Sequence, residues 1–308
     1  MRSTRSKAAA AAAAEEPSVK RHRVDETFPG LFAFAEQGNR ATMEDCYSSL
    51  ITSDGSAVVF GVFDGHGGDS CSKLCQQRLC QSLADHPFLA RSTKQAFTEV
   101  FVTLDDEYCG SLVEGDAGAG STATVAVFRK FANATKVQPA KYKLSVAWAG
   151  DSSAIVLSPS ALPSLLPEKG LELQCEQLTN NHNGSRLDER RRIERQGGFC
   201  EFHPTDRIYR VDGVLAVTRS LGDATLKPHV CATPEVKEIL VGAGDLVIVA
   251  SDGLWDYCNL DEIIRTVGEL GLELGLKQVV ARAASTGEDN VCALGFDVSL
   301  GIQQLNQE

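Results

Sequence analysis

Four aspartates sit where apolar runs end or begin, and that placement is the first chemical signal in the sequence. Asp64 directly follows the run 58–63 and is itself followed by Gly65, Gly67 and Gly68. Asp151 closes Val146-Ala-Trp-Ala-Gly-Asp, Asp252 closes Val247-Ile-Val-Ala-Ser-Asp, and Asp289 stands before Asn290 and the run 291–296. Buried strands that end in carboxylates can bring acids from remote segments to one point. Carboxylates gathered in this way repel one another and raise one another's pKa unless a cation neutralises them, so convergence itself argues for metal. Oxygen donors alone select a hard ion. No His or Cys is grouped at metal-ligand spacing, which disfavours zinc, whereas Mg²⁺ or Mn²⁺ held by a few carboxylates and several waters fits. Two such ions about 3.5 to 4 Å apart would lower the pKa of a bridging water and polarise a phosphoryl oxygen. Each Asp-Gly pair taken alone is equally an ordinary turn, and the spacing names no substrate.

The acids need strands to carry them. Short, β-branched apolar runs recur at 31–35, 57–63, 122–128, 143–149, 154–157, 214–217 and 246–250 and predict buried strands. Helical spacing marks 70–83, 93–108, 186–196, 260–267 and 276–284. Strands come in clusters and helices in pairs, which favours an α+β plan with an antiparallel sheet over alternating βαβ units. Pro159, Pro163 and Pro167 punctuate a surface loop that continues into the polar run 179–185. Cys71, Cys75 and Cys80 fall near helical spacing and read as small buried side chains rather than a metal site.

At 308 residues and 43% hydrophobic composition the chain can bury a substantial core, and one large domain is expected. A net charge of −11 disfavours a nucleic-acid binder, which depends on clustered Lys and Arg to displace counterions. The head is the exception: Arg2, Arg5, Lys7, Lys20, Arg21 and Arg23 outnumber Glu15 and Glu16 around the alanine tract 8–14. A transit peptide and a nuclear signal at 20–23 are both compatible with it, and composition favours a disordered tail over either. No stretch reaches the length a bilayer requires, so a soluble protein is expected. The ten scattered cysteines form no Cys-x-x-Cys pair, which reads as reduced thiols in a cytoplasmic or nuclear protein, organelle targeting by the head being left open. Asn133 and Asn183 begin glycosylation sequons, a pattern short enough to arise by chance.

Taken together, Arg40-Ala-Thr-Met-Glu44-Asp45, Phe63-Asp64-Gly-His-Gly-Gly68, Gly120-Ser-Thr-Ala, Ala149-Gly-Asp151-Ser, Gly213-Val-Leu-Ala-Val-Thr-Arg219-Ser-Leu-Gly-Asp223, Ser251-Asp252-Gly-Leu-Trp-Asp256 and Asp289-Asn290 resemble, in order, the motifs of the metal-dependent protein phosphatases of type 2C. The likeness runs from about residue 32 to 298. It implies a central β-sandwich of two antiparallel sheets flanked by pairs of helices, a four-layer α-β-β-α plan with a dinuclear site at one end. With the composition of the ends, it gives an expected disordered Ala-rich basic tail at 1–26, a catalytic domain at 27–298 and a short polar tail at 299–308. By the same resemblance Asp64 bridges both ions, the Gly65 carbonyl and Glu44 serve one, and Asp252 with Asp289 the other. Asp45 would hold metal-bound waters, and Asp151, with help from Asp252, a weaker third ion. Arg40 matches the phosphate-binding arginine, whose planar fork can make two charge-assisted hydrogen bonds. His66 matches the general acid that protonates the leaving seryl or threonyl oxygen. The other histidines, His22, His86, His182, His203 and His229, read as structural or exposed.

The implied substrates are phosphorylated proteins, and the implied reaction is in-line attack by an activated water on a protein phosphomonoester, without a phosphoenzyme, by a monomer with no nucleic-acid partner. The sequence agrees in what it lacks: no Cys is followed six positions later by Arg, no Asp-x-Asp offers an aspartyl nucleophile, and no Gly-Lys-Ser/Thr loop is present. Three positions depart from the pattern. Asn181 stands where Asp is expected, with a change of substrate choice as its implied effect, Ser153 replaces a common Arg, and Cys292 a Thr. Two rival readings are a catalytically inactive phosphoprotein-binding regulator of the same fold and a phosphatase of small metabolites. Retention of Glu44, Asp64, Asp252 and Asp289 weighs against the first, because four mutually repelling acids serve no purpose without a cation.

Overall fold

Most of the apolar runs of this chain become strands, and those at the centre, such as β3 (Ala57–Phe63), are buried on both faces. The computed structural model describes residues 28–113, 118–132, 141–160 and 171–306. The basic head at 1–26, the Asn133 sequon, Pro163 and Pro167 lie outside the described residues. In chain order the strands are β1 (Leu31–Glu36), β2 (Cys46–Ile51), β3 (Ala57–Phe63), β4 (Gly65–His66), β5 (Gly120–Ser121), β6 (Ala123–Ala132), β7 (Lys141–Ala149) and β8 (Ser153–Pro159). They continue as β9 (Leu173–Gln177), β10 (Cys200–His203), β11 (Ile208–Val211), β12 (Leu221–Gly222), β13 (Glu235–Val241), β14 (Leu246–Ala250) and β15 (Val291–Asp297). The helices are α1 (Ser70–Ala84), α2 (Thr93–Ser111), α3 (Leu187–Arg195), α4 (Asp252–Trp255), α5 (Leu260–Leu270), α6 (Leu272–Thr286) and α7 (Val298–Gln304).

Two five-stranded antiparallel sheets, ordered β1-β15-β14-β8-β9 and β13-β7-β6-β3-β2, form the centre. Alternation along each strand explains the layers, since successive side chains point to opposite faces. From β3, Val58, Phe60 and Val62 join Phe128 of β6 and Val247, Val249, Leu294 and Phe296 of the other sheet. Phe296 meets the rings of Phe60 and Phe128 at 5.1 and 5.0 Å, fastening the two sheets together. The opposite face of β3, with Val59 and Phe63, packs on Cys71, Cys75, Leu79 and Leu83 of α1 and Phe97 and Phe101 of α2. Cys71, Cys75 and Cys80 are buried there as small apolar side chains, as expected. Across the molecule Ile155, Ile248, Ala250 and Ala293 pack on Ile263, Val267, Leu276 and Val280 of α5 and α6. The order of layers is helices, sheet, sheet, helices, the expected α-β-β-α plan.

Several elements differ from expectation. The run 214–217 is not a strand: Asp212 and Gly213 adopt left-handed backbone just before it, and only isolated bridges at Leu215 and Val217 remain. The segment 299–304, expected as polar tail, belongs to α7, capped by Asp297 and packed through Val298, Ile302 and Leu305 against the inter-sheet core. Among the described residues no helix is long and apolar enough to cross a membrane.

Candidate active site

The acids lie at one end of the sandwich because the strands deliver them there. Asp64 leaves β3 beside Thr122, whose N–H donates to the Asp64 carbonyl at 2.8 Å and whose Oγ1 accepts from Asp64 N–H at 3.3 Å. Asp151 follows β7, and Asp252 opens α4 directly after β14. One carboxylate oxygen each from Asp64, Asp151 and Asp252 lies within 4.8 Å of the other two. Three strand ends read from the sequence therefore meet at a point.

Asp45 backs this trio. It is 6% exposed, and its Oδ2 accepts from Ser251 Oγ at 2.7 Å. Glu44 sits one residue earlier, its Oε1 accepting from Thr42 Oγ1 at 3.0 Å and its Oε2 from Gly68 N–H at 3.3 Å. That second bond needs the turn after β4, where Gly67 and Gly68 both take positive φ, a conformation that disfavours side chains. Gly65 lies against the Glu44 backbone: a Cβ there would stand 2.5 Å from the Glu44 carbonyl oxygen.

Asp289 is not one of the tight trio. Its Oδ2 is 2.8 Å from Arg40 Nη2, and its Oδ1 accepts from Asn290 N–H at 2.8 Å, yet its charge still bears on Asp252 and Asp45. Arg40 is half-exposed, and its Nε donates to the Glu288 carbonyl at 2.9 Å. His66 Nε2 lies 2.9 and 2.8 Å from the two oxygens of Asp223.

Burial, followed by mutual repulsion, dominates the electrostatics. Burial pushes Asp45 up to about 7, with Ser251 opposing and the charges of Asp252 and Asp289 assisting. Burial and then Asp252 push Asp151 up to about 7, burial and then Asp289 push Asp252 up to about 6, and Asp64 is held well above its ordinary value by burial and by Asp45, Asp252 and Asp151. Burial alone would lower His66, but the Asp223 hydrogen bond and the negative charges of Asp223, Asp151 and Glu44 outweigh it, and the net direction is up. A donor set made of carboxylate oxygens, crowded enough to resist ionisation, suits a hard divalent cation and not a soft one. A second acidic trio, Asp188, Glu189 and Glu235, is already neutralised: Arg186 pairs with Asp188 and Glu235, and Arg219 with Glu189 and Glu235.

Sequence reasoning left several positioning residues without roles. Asn290 accepts from Glu44 N–H through Oδ1 at 2.8 Å and donates through Nδ2 to the carbonyls of Gln37 and Thr42, stapling the Arg40–Asp45 loop to β15. Thr122 bonds the Asp64 main chain, Ser251 the Asp45 carboxylate and Asp223 the His66 ring. Asp256, raised by burial and by Asp289, is a further acid at this end. The available signal was the position of these small polar residues inside the quoted motifs.

Comparison with known proteins agrees with this geometry. The Protein phosphatase 2C family model matches residues 30–274. The chain is 35% identical over 273 residues to Probable protein phosphatase 2C 59 of Oryza sativa subsp. japonica, covering 86% of this chain and 75% of that protein. It is 34% identical over 270 residues to Probable protein phosphatase 2C 11 of Arabidopsis thaliana, covering 85% of this chain and 65% of that one. Serine-threonine phosphatase 2C from Toxoplasma gondii shares the fold, with a TM-score of 0.69, 22% identity, and coverage of 87% of this chain and 94% of that one. The match to the family model and the identity to its plant relatives carry one conclusion: the chain belongs to the protein phosphatase 2C family.

Proposed function

We propose that this protein serine/threonine phosphatase hydrolyses phosphoserine and phosphothreonine in proteins with a water activated at the carboxylate cluster, and that no phosphoenzyme forms. The observation that carries the reading is the meeting of oxygens from Asp64, Asp151 and Asp252 within 4.8 Å, although each comes from a different strand end. In this reading Asp64, Glu44, the Gly65 carbonyl, Asp252 and Asp289 would hold two Mg²⁺ or Mn²⁺ ions, Asp151 with Asp252 would serve a weaker third, and Asp45 would orient the surrounding waters. Such ions supply a lowered pKa for water and positive charge facing the phosphoryl oxygens.

The chain's own groups do the rest. Arg40, half-exposed beside Asp289, offers its guanidinium to the phosphate oxygens. His66 holds the proton that the departing seryl or threonyl oxygen takes up. The contacts of Thr122 with the Asp64 N–H and carbonyl fix the main chain from which the Asp64 carboxylate projects. The enzyme acts as a monomer inside the cell in this reading, in keeping with ten unpaired cysteines.

The test uses the purified chain, a phosphothreonine peptide and p-nitrophenyl phosphate, with Mn²⁺, with Mg²⁺ and with chelator. Peptide turnover that requires the metal is the expected result. Turnover of the small ester without the peptide points instead to a metabolite substrate, and tight phosphopeptide binding with no turnover to an inactive regulator.

A further inference from the structure

The groups around His66 form a unit that extends beyond the acids of the metal site. The small sheet β12-β5-β4 pairs His66 with Gly120 on one side and Gly120 with Gly222 on the other. His66 and Asp223 thus reach across the same residue from two edges. A Cβ on Gly120 would collide with both the Asp223 carboxylate and the His66 ring, so the pair meets only because that position has no side chain.

Asp223 is itself immobilised. It is 3% exposed and takes a left-handed backbone, φ 52°, that an aspartate holds only when its surroundings fix it. Its N–H donates to the Ala119 carbonyl at 3.0 Å, and Ser220 Oγ donates to its Oδ2. The preceding N–H, of Gly222, donates to Oδ1 of Asp105 at 2.7 Å, and Lys227 Nζ sits 2.9 Å from the other oxygen of Asp105. A carboxylate anchored from α2 and from both strands therefore grips one ring nitrogen of His66.

We propose that Asp223 is a positioning residue that holds the His66 imidazole, through Nε2, so that Nδ1 faces the departing oxygen. The inference rests on the reading of His66 as proton donor. With Nε2 committed to a fixed carboxylate, only Nδ1 remains to deliver a proton, and the ring loses its freedom to turn. As the P–O bond breaks, its electron pair goes to the seryl or threonyl oxygen, which takes the Nδ1 proton. The attacking water gives one proton to solvent and its oxygen becomes part of the phosphate, and His66 regains a proton from solvent before the next turnover while its bond to Asp223 is kept. An alkoxide leaves poorly without that proton, whereas p-nitrophenolate leaves well without it.

The experiment compares Asp223→Asn, His66→Gln and the double variant on a phosphothreonine peptide and on p-nitrophenyl phosphate, in Mn²⁺. Asp223→Asn is expected to lower kcat for the peptide by about 10- to 100-fold, with its KM within about twofold of the parent, and to lower turnover of the nitrophenyl ester at least about tenfold less. The double variant is expected to match His66→Gln, and calorimetric Mn²⁺ affinity of Asp223→Asn to match the parent. Ser220→Ala, which keeps both the ring and the carboxylate but removes one bond that fixes Oδ2, is expected to show the same selectivity with a smaller loss. If His66→Gln keeps full peptide turnover, the proton-donor reading falls and this inference with it. A selective loss in His66→Gln that neither Asp223→Asn nor Ser220→Ala shares overturns the inference alone. Equal losses on both substrates in those two variants make Asp223 a residue of the scaffold only and overturn it as well.

Discussion

Ser153 Oγ donates to Asn181 Oδ1 over 2.8 Å, tying the first residue of β8 to the segment that follows β9. Both residues depart from the type 2C pattern, where an arginine and an aspartate are usual, so two departures in sequence are one exchange in space. The contact that joins them is a neutral hydrogen bond at a site where Ser153 is 4% exposed. The same segment is held by Ala154 N–H on Thr179 Oγ1 at 3.0 Å and by Trp148 Nε1 on the Asn180 carbonyl at 2.9 Å. Asn181 Oδ1 is therefore engaged with the scaffold.

A double-mutant cycle tests this. Ser153→Arg alone buries a guanidinium without a counter-charge and is expected to destabilise by about 3 kcal/mol, and Asn181→Asp alone by about 1 kcal/mol. The double variant is expected to recover at least about 1 kcal/mol of that sum as coupling. Urea unfolding of the four proteins measures it, and strictly additive losses would contradict the exchange.

The crowded carboxyls set a pH dependence of stability. Asp45, Asp151 and Asp252, at about 7, 7 and 6, are raised from 3.8, so between about pH 4 and 7 the folded chain binds more protons than the unfolded one. Stability is then lost as pH rises through that window, and the raised His66 acts in the same direction above its ordinary 6.5. A bound divalent cation reverses the effect, because it favours the ionised acids. With chelator, the urea midpoint is expected to be lower at pH 8 than at pH 5, and Mn²⁺ to raise it more at pH 8. Asp64→Asn, by removing one of the repelling charges, is expected to raise the chelated midpoint at pH 8 while losing most of the Mn²⁺ response.

What could be read in the sequence was whatever burial writes as a continuous pattern. β3 and β14 are covered on both faces, so they appear as unbroken apolar runs, and the acids at their ends stand out by contrast. β13 escapes the pattern because it lies at a sheet edge, where Glu235, Lys237 and Glu238 interrupt the apolar signal. α7 was missed because its apolar stripe is only Val298, Ile302 and Leu305 among polar neighbours. The role of Asp223 needs three strands and the missing side chain of Gly120, a relation that no local spacing expresses. Arg40 and Asp289 were assigned separate tasks, and their pairing follows from the turn that Asn290 staples.

Arg40 ought to show opposite effects on its two neighbours. Arg40→Ala removes the charge-assisted contact to phosphate that the proposed mechanism assigns to it and is expected to lower kcat/KM for the peptide by about 10- to 100-fold, with Arg40→Lys recovering only part because it lacks the planar fork. The same change takes a positive charge away from Asp289, 2.8 Å from Nη2. Mn²⁺ affinity measured by calorimetry is therefore expected to rise a few-fold in Arg40→Ala, about 0.5 to 1 kcal/mol at this exposure. A fall in affinity would place Arg40 outside the field of the cation-binding acids.

Glu189 carries a charge in the protein interior, and its partners decide when that charge is stable. It is 1% exposed, with Arg219 Nη2 at 2.6 Å, Thr218 Oγ1 at 2.9 Å and Arg192 Nη2 at 3.0 Å. Burial pushes its pKa up, but the Arg219 hydrogen bond and the two guanidinium charges win and bring it down to about 2 from 4.5. The network joins α3 to Thr218 and Arg219, just ahead of Asp223. Because the folded value is depressed, the stabilisation is complete above about pH 4.5 and disappears as pH falls towards about 2. Glu189→Gln leaves two guanidiniums short of their counter-charge and is expected to cost about 3 kcal/mol at pH 7. Urea midpoints measured from pH 7 to pH 3 are expected to converge for parent and variant as the acid limit is approached. A constant gap across that range would mean that Glu189 acts through shape and hydrogen bonding, with its charge contributing nothing.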